Sequence, residues 1–218
     1  MSQSEDPVQR LLARLDSSSL RILIGMAGLP GSGKSTLAAR LAAEVNAIAG
    51  PDTLATLGMD GFHLTRDALM RMPNPDEVLA RRGVPWTFDV PALASRLQLL
   101  RDAAGREAVE WPGFDHGGGD PVENAIQVRP ETRLVLVEGL YLLHQGGGWD
   151  TVSRCFDERW YLDTPLEVSL SRLVNRHIAA WGLTQDAAEQ RVAANDRLNA
   201  EIVAQSRAFA DWRFGASY

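Results

Sequence analysis

The chain has 218 residues, of which 28 are acidic and 22 basic, and its formal charge is −6. This acidic balance argues against a general nucleic-acid binder, and the single cysteine, Cys155, excludes an intramolecular disulfide or a cysteine-based zinc site. No apolar run reaches the roughly 20 residues of a membrane span, and the charged N-terminus lacks an apolar signal core. We therefore expect a soluble cytoplasmic protein with no nucleic-acid or membrane partner.

Strand and helix patterns alternate along the chain. The helical patterns cover 6–16, 34–48, most of 88–102, 165–180 and 184–209. The strand patterns cover 21–27, 53–59, 107–115, 133–143 and 158–164. Residues 60–90 are less regular, and the glycine-rich stretch 116–121 predicts a flexible loop. The alternation predicts an α/β fold with a parallel sheet and right-handed crossovers.

A glycine-rich turn follows the first predicted strand and matches the pattern G-x-x-x-x-G-K-[ST], which about one such chain in a thousand would contain by chance. Its residues are Gly28, Leu29, Pro30, Gly31, Ser32, Gly33, Lys34 and Ser35, followed by Thr36. Glycines let backbone N–H groups approach a phosphate at the start of a helix, where the helix dipole favours anions. We expect Lys34, the only lysine, to bind the β- and γ-phosphates of ATP, Ser35 to bind Mg²⁺, and Thr36 to lie near the α-phosphate.

The lone lysine narrows the class of phosphate-loop protein. A GTPase that reads guanine through N-K-x-D would need a second lysine, and a eukaryotic-type protein kinase uses a different lysine on a strand. Motor and helicase ATPases are normally longer. A small-molecule kinase is therefore the preferred interpretation of the motif, while a nucleotide-binding regulator remains an alternative from another class.

Two carboxylates follow predicted strands, where open α/β sheets bind their ligands. Asp60 could hold the acceptor hydroxyl in line with the γ-phosphate, or it could simply cap the next helix. Glu138 interrupts the apolar run 134–143, and a buried charge there is explained by Mg²⁺ or by pairing with an arginine.

Two arginines, Arg172 and Arg176, lie four residues apart on the predicted helix 165–180 and share one of its faces. They could close over the phosphates as a lid and stabilise the transferring charge, or they could form a solvated basic face. The adjacent His177 is expected to point elsewhere.

Taken in order, these motifs resemble the phosphoribulokinase / uridine kinase group, which includes bacterial pantothenate kinases. The resemblance covers roughly 20–210 and rests on GLPGSGKST (28–36), MDGFH (59–63), RRGVPWTFDVPAL (81–93), WPGFD (111–115), LVEGLYLL (136–143) and SRLVNRH (171–177). It implies one three-layer α/β/α phosphate-loop domain over 1–218, with a core over about 20–164 and a small helical lid over about 165–195. The bacterial fructose kinase or nucleoside/nucleotide kinase-like branch is the nearest.

The resemblance also implies roles for individual residues. Asp60 matches the catalytic aspartate, Glu138 the acidic residue near Mg²⁺, and Arg172 and Arg176 the lid arginines. Asp89 matches an aspartate that holds sugar hydroxyls in uridine kinases, and Phe114 stands where those kinases often have a tyrosine that contacts the substrate.

Some positions depart from the uridine kinase pattern. His116 is displaced from the place of the base-reading histidine, and glycines 117–119 follow it, which disfavours uridine and suits a smaller acceptor. His63 could contact the acceptor or start a helix. A polar face formed by Asn195, Asp196 and Asn199 could lie near the site or face solvent, and its role is left open.

The expected activity is therefore Mg²⁺-dependent transfer from ATP to a hydroxyl of a small polar metabolite, most simply a sugar such as fructose. A nucleoside or pantothenate-like acceptor is the alternative within the class. The sequence leaves open a homodimer and the preference between ATP and GTP.

Because Lys34 is the only lysine, an amine-reactive ATP analogue should label Lys34 or the N-terminal amine and nothing else. Excess ATP should block the labelling of Lys34, which peptide mass spectrometry would measure. Labelling of Lys34 that excess ATP leaves unchanged would contradict its assignment to the phosphate site.

Overall fold

The computed structural model describes residues 6–115 and 117–215, and a five-stranded parallel sheet lies at its centre. The strands in chain order are β1 (Ile22–Gly28), β2 (Leu54–Gly58), β3 (Val109–Asp115), β4 (Asp120–Val128), β5 (Leu134–Gly139), β6 (Glu158–Asp163) and β7 (Trp212–Gly215). The central sheet has the order β2-β5-β1-β6-β7, and β3 and β4 form a separate antiparallel pair. The predicted α/β fold with a parallel sheet is confirmed.

The helices pack around this sheet. They are α1 (Pro7–Ser17), α2 (Lys34–Ala49), α3 (Arg66–Met70), α4 (Pro75–Ala80), α5 (Val90–Asp102), α6 (Trp149–Arg154), α7 (Leu166–Trp181), α8 (Gln185–Arg191) and α9 (Arg197–Gln205). None of these helices is both long and apolar enough to cross a membrane.

The strands of the sheet are apolar because helices and loops cover both faces. In β1, for example, Ile22 and Ile24 pack in one hydrophobic cluster while Leu23 packs in another, as the alternation of strand side chains requires. The same alternation places Leu134 in the first cluster and Val135 in the second. Two packed layers on one sheet explain why these strands read as continuous apolar runs.

Several elements differ from the sequence prediction. The loop predicted over 116–121 is shorter, because β4 starts at Asp120 and pairs with β3 as a hairpin. The helix predicted over 184–209 is present as a continuous helical segment from Gln185 to Phe209, although a π-turn at Val192–Asp196 separates α8 from α9 and the last turn is 3₁₀. The unpredicted strand β4 is exposed over most of its length, so it lacks the apolar pattern that marks a buried strand.

The β3–β4 hairpin supports the turn that carries Asp60. This 3₁₀ turn, Met59–Phe62, follows β2 directly. The ring of Trp111 lies edge-on to Phe62 at 4.9 Å, and its indole N–H donates a 2.9 Å hydrogen bond to the Gly58 carbonyl. A Cβ atom at Gly61 would lie 2.1 Å from the Pro112 carbonyl oxygen. The hairpin therefore packs against a backbone that has no space for a side chain at Gly61.

Gly61→Ala should lower the free energy of unfolding by about 1–3 kcal/mol, because the added methyl group overpacks against backbone. Urea denaturation would measure this change. Gly58→Ala is the matched control: a Cβ there meets no described atom nearer than 3.9 Å, so its effect should be clearly smaller. Equal stability of the two variants would contradict this account of the contact.

Candidate active site

The phosphate loop connects the end of β1 to the start of α2. Gly31 has φ 79° and Gly33 has φ 95°, both in the left-handed region that favours glycine. A Cβ at Gly31 would also lie 2.5 Å from the Ser169 carbonyl oxygen of α7. The loop thus leads into the N-terminus of a 16-residue helix, which is where backbone N–H groups bind phosphate.

Lys34 is buried beneath this loop. Its Nζ donates 3.0 Å hydrogen bonds to the Gly28 and Leu29 carbonyl oxygens. Burial lowers the pKa of Lys34 below its ordinary value, and the nearby Glu138 and Asp60 carboxylates act in the opposite direction. The ammonium is therefore held close to the loop and close to both candidate carboxylates.

Glu138 lies near the end of β5 and accepts a 2.8 Å hydrogen bond from the Ser35 hydroxyl. Burial raises the pKa of Glu138, while Lys34 and the Ser35 hydrogen bond lower it. An arginine partner, the alternative from sequence, is not among the described contacts of Glu138. A hydroxyl beside a carboxylate provides the oxygen donors that Mg²⁺ takes together with phosphates, so this pair fits the ion that the family implies.

One cavity of about 420 Å³ brings most of the predicted site residues together. It is lined by Lys34, Ser35, Asp60, Glu138, Arg172 and Arg176, among others. Arg172 also donates a 3.1 Å hydrogen bond to the Ser32 carbonyl. The two arginines of α7 therefore border the phosphate cavity. Both side chains are also exposed to solvent.

A second cavity lies on the far side of the phosphate loop. It has a volume of about 280 Å³ and is lined by Thr36, Leu37, Arg40, Leu162 and Arg172, among others. Because Thr36 and Arg172 border both cavities, this space suits the nucleoside part of a nucleotide whose phosphates occupy the first.

A third cavity, of about 220 Å³, adjoins Asp60 and is called the acceptor cavity below. Asp60 and Arg176 line both the acceptor cavity and the phosphate cavity. His63 lines the acceptor cavity too; its ring packs 4.0 Å from Phe88 and its Nδ1 lies 2.9 Å from the Asp60 carbonyl oxygen. The Asp60 carboxylate therefore lies between the space for a phosphate donor and the space for an alcohol acceptor.

The polar residues of the C-terminal helix also line the acceptor cavity. Asn195 accepts a 3.0 Å hydrogen bond from Arg81, and Asp196 lies 2.8 Å from His177 Nε2. Asn199 is buried, and its Oδ1 has no hydrogen-bond partner among the described residues. The π-turn contains the first two of these residues, and their side chains face a cavity.

Two residues taken from the resemblance lie elsewhere. Asp89 is exposed and accepts a 2.9 Å hydrogen bond from the Ala92 N–H, which makes it the N-cap of α5. It does not line any of the three cavities described above. Phe114 packs 4.9 Å from the His63 ring, on the hairpin side. His116 lies outside the described residues.

Sequence reasoning missed several residues of the acceptor cavity. They are Arg82, Phe88, His177, Trp181 and Arg191. Arg82 lies within the conspicuous RRGVPWTFD stretch and could have been singled out there. Arg191 ends a short polar helix with no pattern that distinguishes it from a solvated one.

Comparisons with known proteins show the family to which the chain belongs. The model of the Phosphoribulokinase / Uridine kinase family matches residues 23–211. A Schizosaccharomyces pombe protein named "Putative uridine kinase" is 38% identical over 202 residues, which cover 92% of this chain and 85% of that protein. The crystal structure of a "putative fructose transport system kinase" from Silicibacter sp. superposes with TM-score 0.84 and 36% identity, covering 95% of this chain and 96% of that one.

YFH7 from Saccharomyces cerevisiae has the same fold, with TM-score 0.83 at 19% identity over 97% of this chain and 98% of its own. Fold and site define a phosphate-loop kinase, an ATP-dependent phosphotransferase. The chain belongs to the Phosphoribulokinase / Uridine kinase family.

Glu138→Gln should raise the free energy of unfolding at neutral pH, by about 0.5–2 kcal/mol. Because burial raises the pKa of Glu138, the ionised side chain costs stability above its folded-state pKa. As the pH falls toward the ordinary glutamate value of 4.5, wild-type Glu138 gains its proton and the difference should narrow. Thermal denaturation across pH would measure this.

Glu158→Gln provides the opposite control. Glu158 is buried, and it accepts a 2.5 Å hydrogen bond from Arg10 and lies 3.5 Å from Arg14, so neutralising it should destabilise the fold. If both variants lost stability equally at neutral pH, the Glu138 carboxylate would not be the costly group inferred here.

Proposed function

We propose that this kinase transfers the γ-phosphate of ATP to a hydroxyl of a small polar metabolite, a sugar such as fructose. The observation that carries the proposal is the position of Asp60, which lines both the phosphate cavity and the acceptor cavity. A regulator that only hydrolyses nucleotide would need no second polar cavity sharing this carboxylate.

The phosphate loop and Lys34 bind the donor. Loop N–H groups and the Lys34 ammonium contact the phosphates, and Ser35 and Glu138 are the residues that would hold Mg²⁺. When bound, the ion neutralises phosphate charge. Arg172 and Arg176 border the same cavity from the lid helix and stabilise the charge of the transferring group.

Asp60 prepares the acceptor. Its carboxylate accepts a hydrogen bond from the acceptor hydroxyl, which orients the oxygen toward the γ-phosphorus, and it accepts the proton as the new P–O bond forms and the bond to ADP breaks. Because phosphoryl transfer depends mostly on positioning and charge stabilisation, orientation is the larger part of this role.

A sugar is favoured by the size and lining of the acceptor cavity. At about 220 Å³ the cavity is smaller than the roughly 300–1,000 Å³ typical of drug-sized ligands. Polar side chains such as Asn195 and Asn199 line it beside the aromatic His63 and Phe88. The name of the Silicibacter relative points to fructose and that of the yeast relative to uridine, so both belong in the test.

An acceptor panel would test the proposal. ADP release from ATP and Mg²⁺ is measured with sugars including fructose, with nucleosides including uridine, and with pantothenate. At least one sugar should accelerate ADP release well beyond basal hydrolysis, and more than any nucleoside. If no acceptor accelerates it, the regulatory ATPase becomes the better description.

Asp60→Asn should lower kcat for the accelerating acceptor by about 100-fold or more, because the amide cannot accept the proton. ATP binding, measured by isothermal titration calorimetry, should change little. Asp67→Asn, which neutralises an exposed acid on α3, is the control and should leave kcat nearly unchanged. Normal turnover of the Asp60 variant would remove Asp60 from the catalytic role.

A further inference from the structure

A stack of three side chains forms part of the acceptor cavity wall. The His177 and Trp181 rings of α7 are parallel, with centroids 4.6 Å apart and an interplanar angle of 11°. The Arg191 guanidinium, from α8, lies 4.4 Å from the Trp181 ring. Asp196 fixes the far end of the stack through its 2.8 Å contact with His177. All four residues line the acceptor cavity.

Arg191 differs from the other two arginines of this cavity. Arg82 pairs with Asp120 at 2.8 Å, and Arg176 also borders the phosphate cavity. Arg191 contacts the Trp181 ring, and within 6–115 and 117–215 no carboxylate pairs with it. The two acids that line the cavity, Asp60 and Asp196, form no described ion pair with Arg191, and Asp196 contacts His177 instead. Arg176 also has no carboxylate partner among the described residues, but it borders the phosphate cavity as well, so Arg191 is the unpaired guanidinium that lines the acceptor cavity alone.

The stacking of Arg191 prepares it to bind an anion. The Arg191 guanidinium carbon lies over the Trp181 ring, and a guanidinium has N–H groups along its edge that match a carboxylate or phosphate in bidentate geometry. The ring contact also restricts the side chain before binding, which reduces the entropy lost when a ligand is captured.

Asn199 provides a second polar group without a partner in the same cavity. Its side chain is 4% exposed and its Oδ1 accepts no hydrogen bond from any described residue. A buried carbonyl oxygen without a donor costs free energy, which a ligand hydroxyl would recover. The cavity therefore suits a ligand that carries hydroxyl groups as well as an anionic group.

We propose that the acceptor is a compact polyol that carries an oxyanion, a phosphate or a carboxylate, in addition to the hydroxyl presented to Asp60, and that Arg191 binds this oxyanion. The inference rests on the proposed kinase function and narrows it, because a neutral sugar would leave Arg191 without a partner. Asn199 would accept a hydrogen bond from one of the remaining hydroxyls.

Matched acidic and neutral acceptors would test this. ADP release is measured with D-fructose 6-phosphate, D-fructose 1-phosphate and D-gluconate, against D-fructose and D-glucitol. An acidic compound should show a kcat/KM at least tenfold above its neutral counterpart, and which acid responds distinguishes phosphate from carboxylate. Added salt should raise the KM for the acid, because it screens the ion pair.

Variants then assign the effect to Arg191. Arg191→Gln should raise the KM for the preferred acid about tenfold or more, with kcat changed less than about threefold and the KM for neutral compounds and ATP nearly unchanged. Arg191→Lys should restore part of the loss, and Trp181→Leu should cause a smaller loss in the same direction. Arg154→Gln, an exposed charge on α6, is the control.

Two failures are distinguishable. If neutral acceptors work as well as acids, or if Arg191→Gln affects both alike, the oxyanion proposal fails while the kinase function stands. If nothing accelerates ADP release, the proposed function fails. Calorimetric titration of the same compounds then decides the inference: binding of an acid that Arg191→Gln abolishes supports it, and no binding of any acid overturns it.

Discussion

The parallel pairing of β1 with β5 and of β5 with β2 is the constraint on which the rest of the site depends. It places the carboxyl ends of three strands at one edge, so that Gly28, Glu138 and the turn carrying Asp60 meet although more than 100 residues separate the first two. The register is specific: Glu138 lies opposite Met26 on one side and Gly58 on the other. A register shift of one residue would turn the carboxylate to the opposite face of the sheet.

The burial of charged groups at this edge of the sheet lowers the stability of the fold. The pKa of Lys34 is lowered and that of Glu138 is raised, in both cases chiefly by loss of water. The Lys34 charge and the hydrogen bond from the Ser35 hydroxyl both favour the ionised form of Glu138 and so partly offset the effect of burial. Perturbed groups that share a cavity are typical of functional sites, where stability is given up for pre-organised charge.

The acceptor side is assembled differently, from segments that are individually short and polar. The β3–β4 hairpin holds the Asp60 turn through Trp111, and the π-turn in the C-terminal helix directs Asn195 and Asp196 toward the cavity. A π-turn commonly marks a functional position within a helix, and here its aspartate contacts His177 of α7. These later segments give the acceptor cavity its particular chemistry.

The phosphate side could be predicted from local sequence patterns. A local motif between an apolar strand and a helix identifies Gly28 to Ser35, and a charge in a buried strand identifies Glu138, because both signals lie within a few consecutive residues. The acceptor side, in contrast, depends on the tertiary structure. It placed Asp89 at a helix cap, outside the three cavities, and brought Trp181, Arg191 and Asn199 together from three helices. The physical reason is that an exposed polar helix has the same sequence pattern whether it faces water or a ligand.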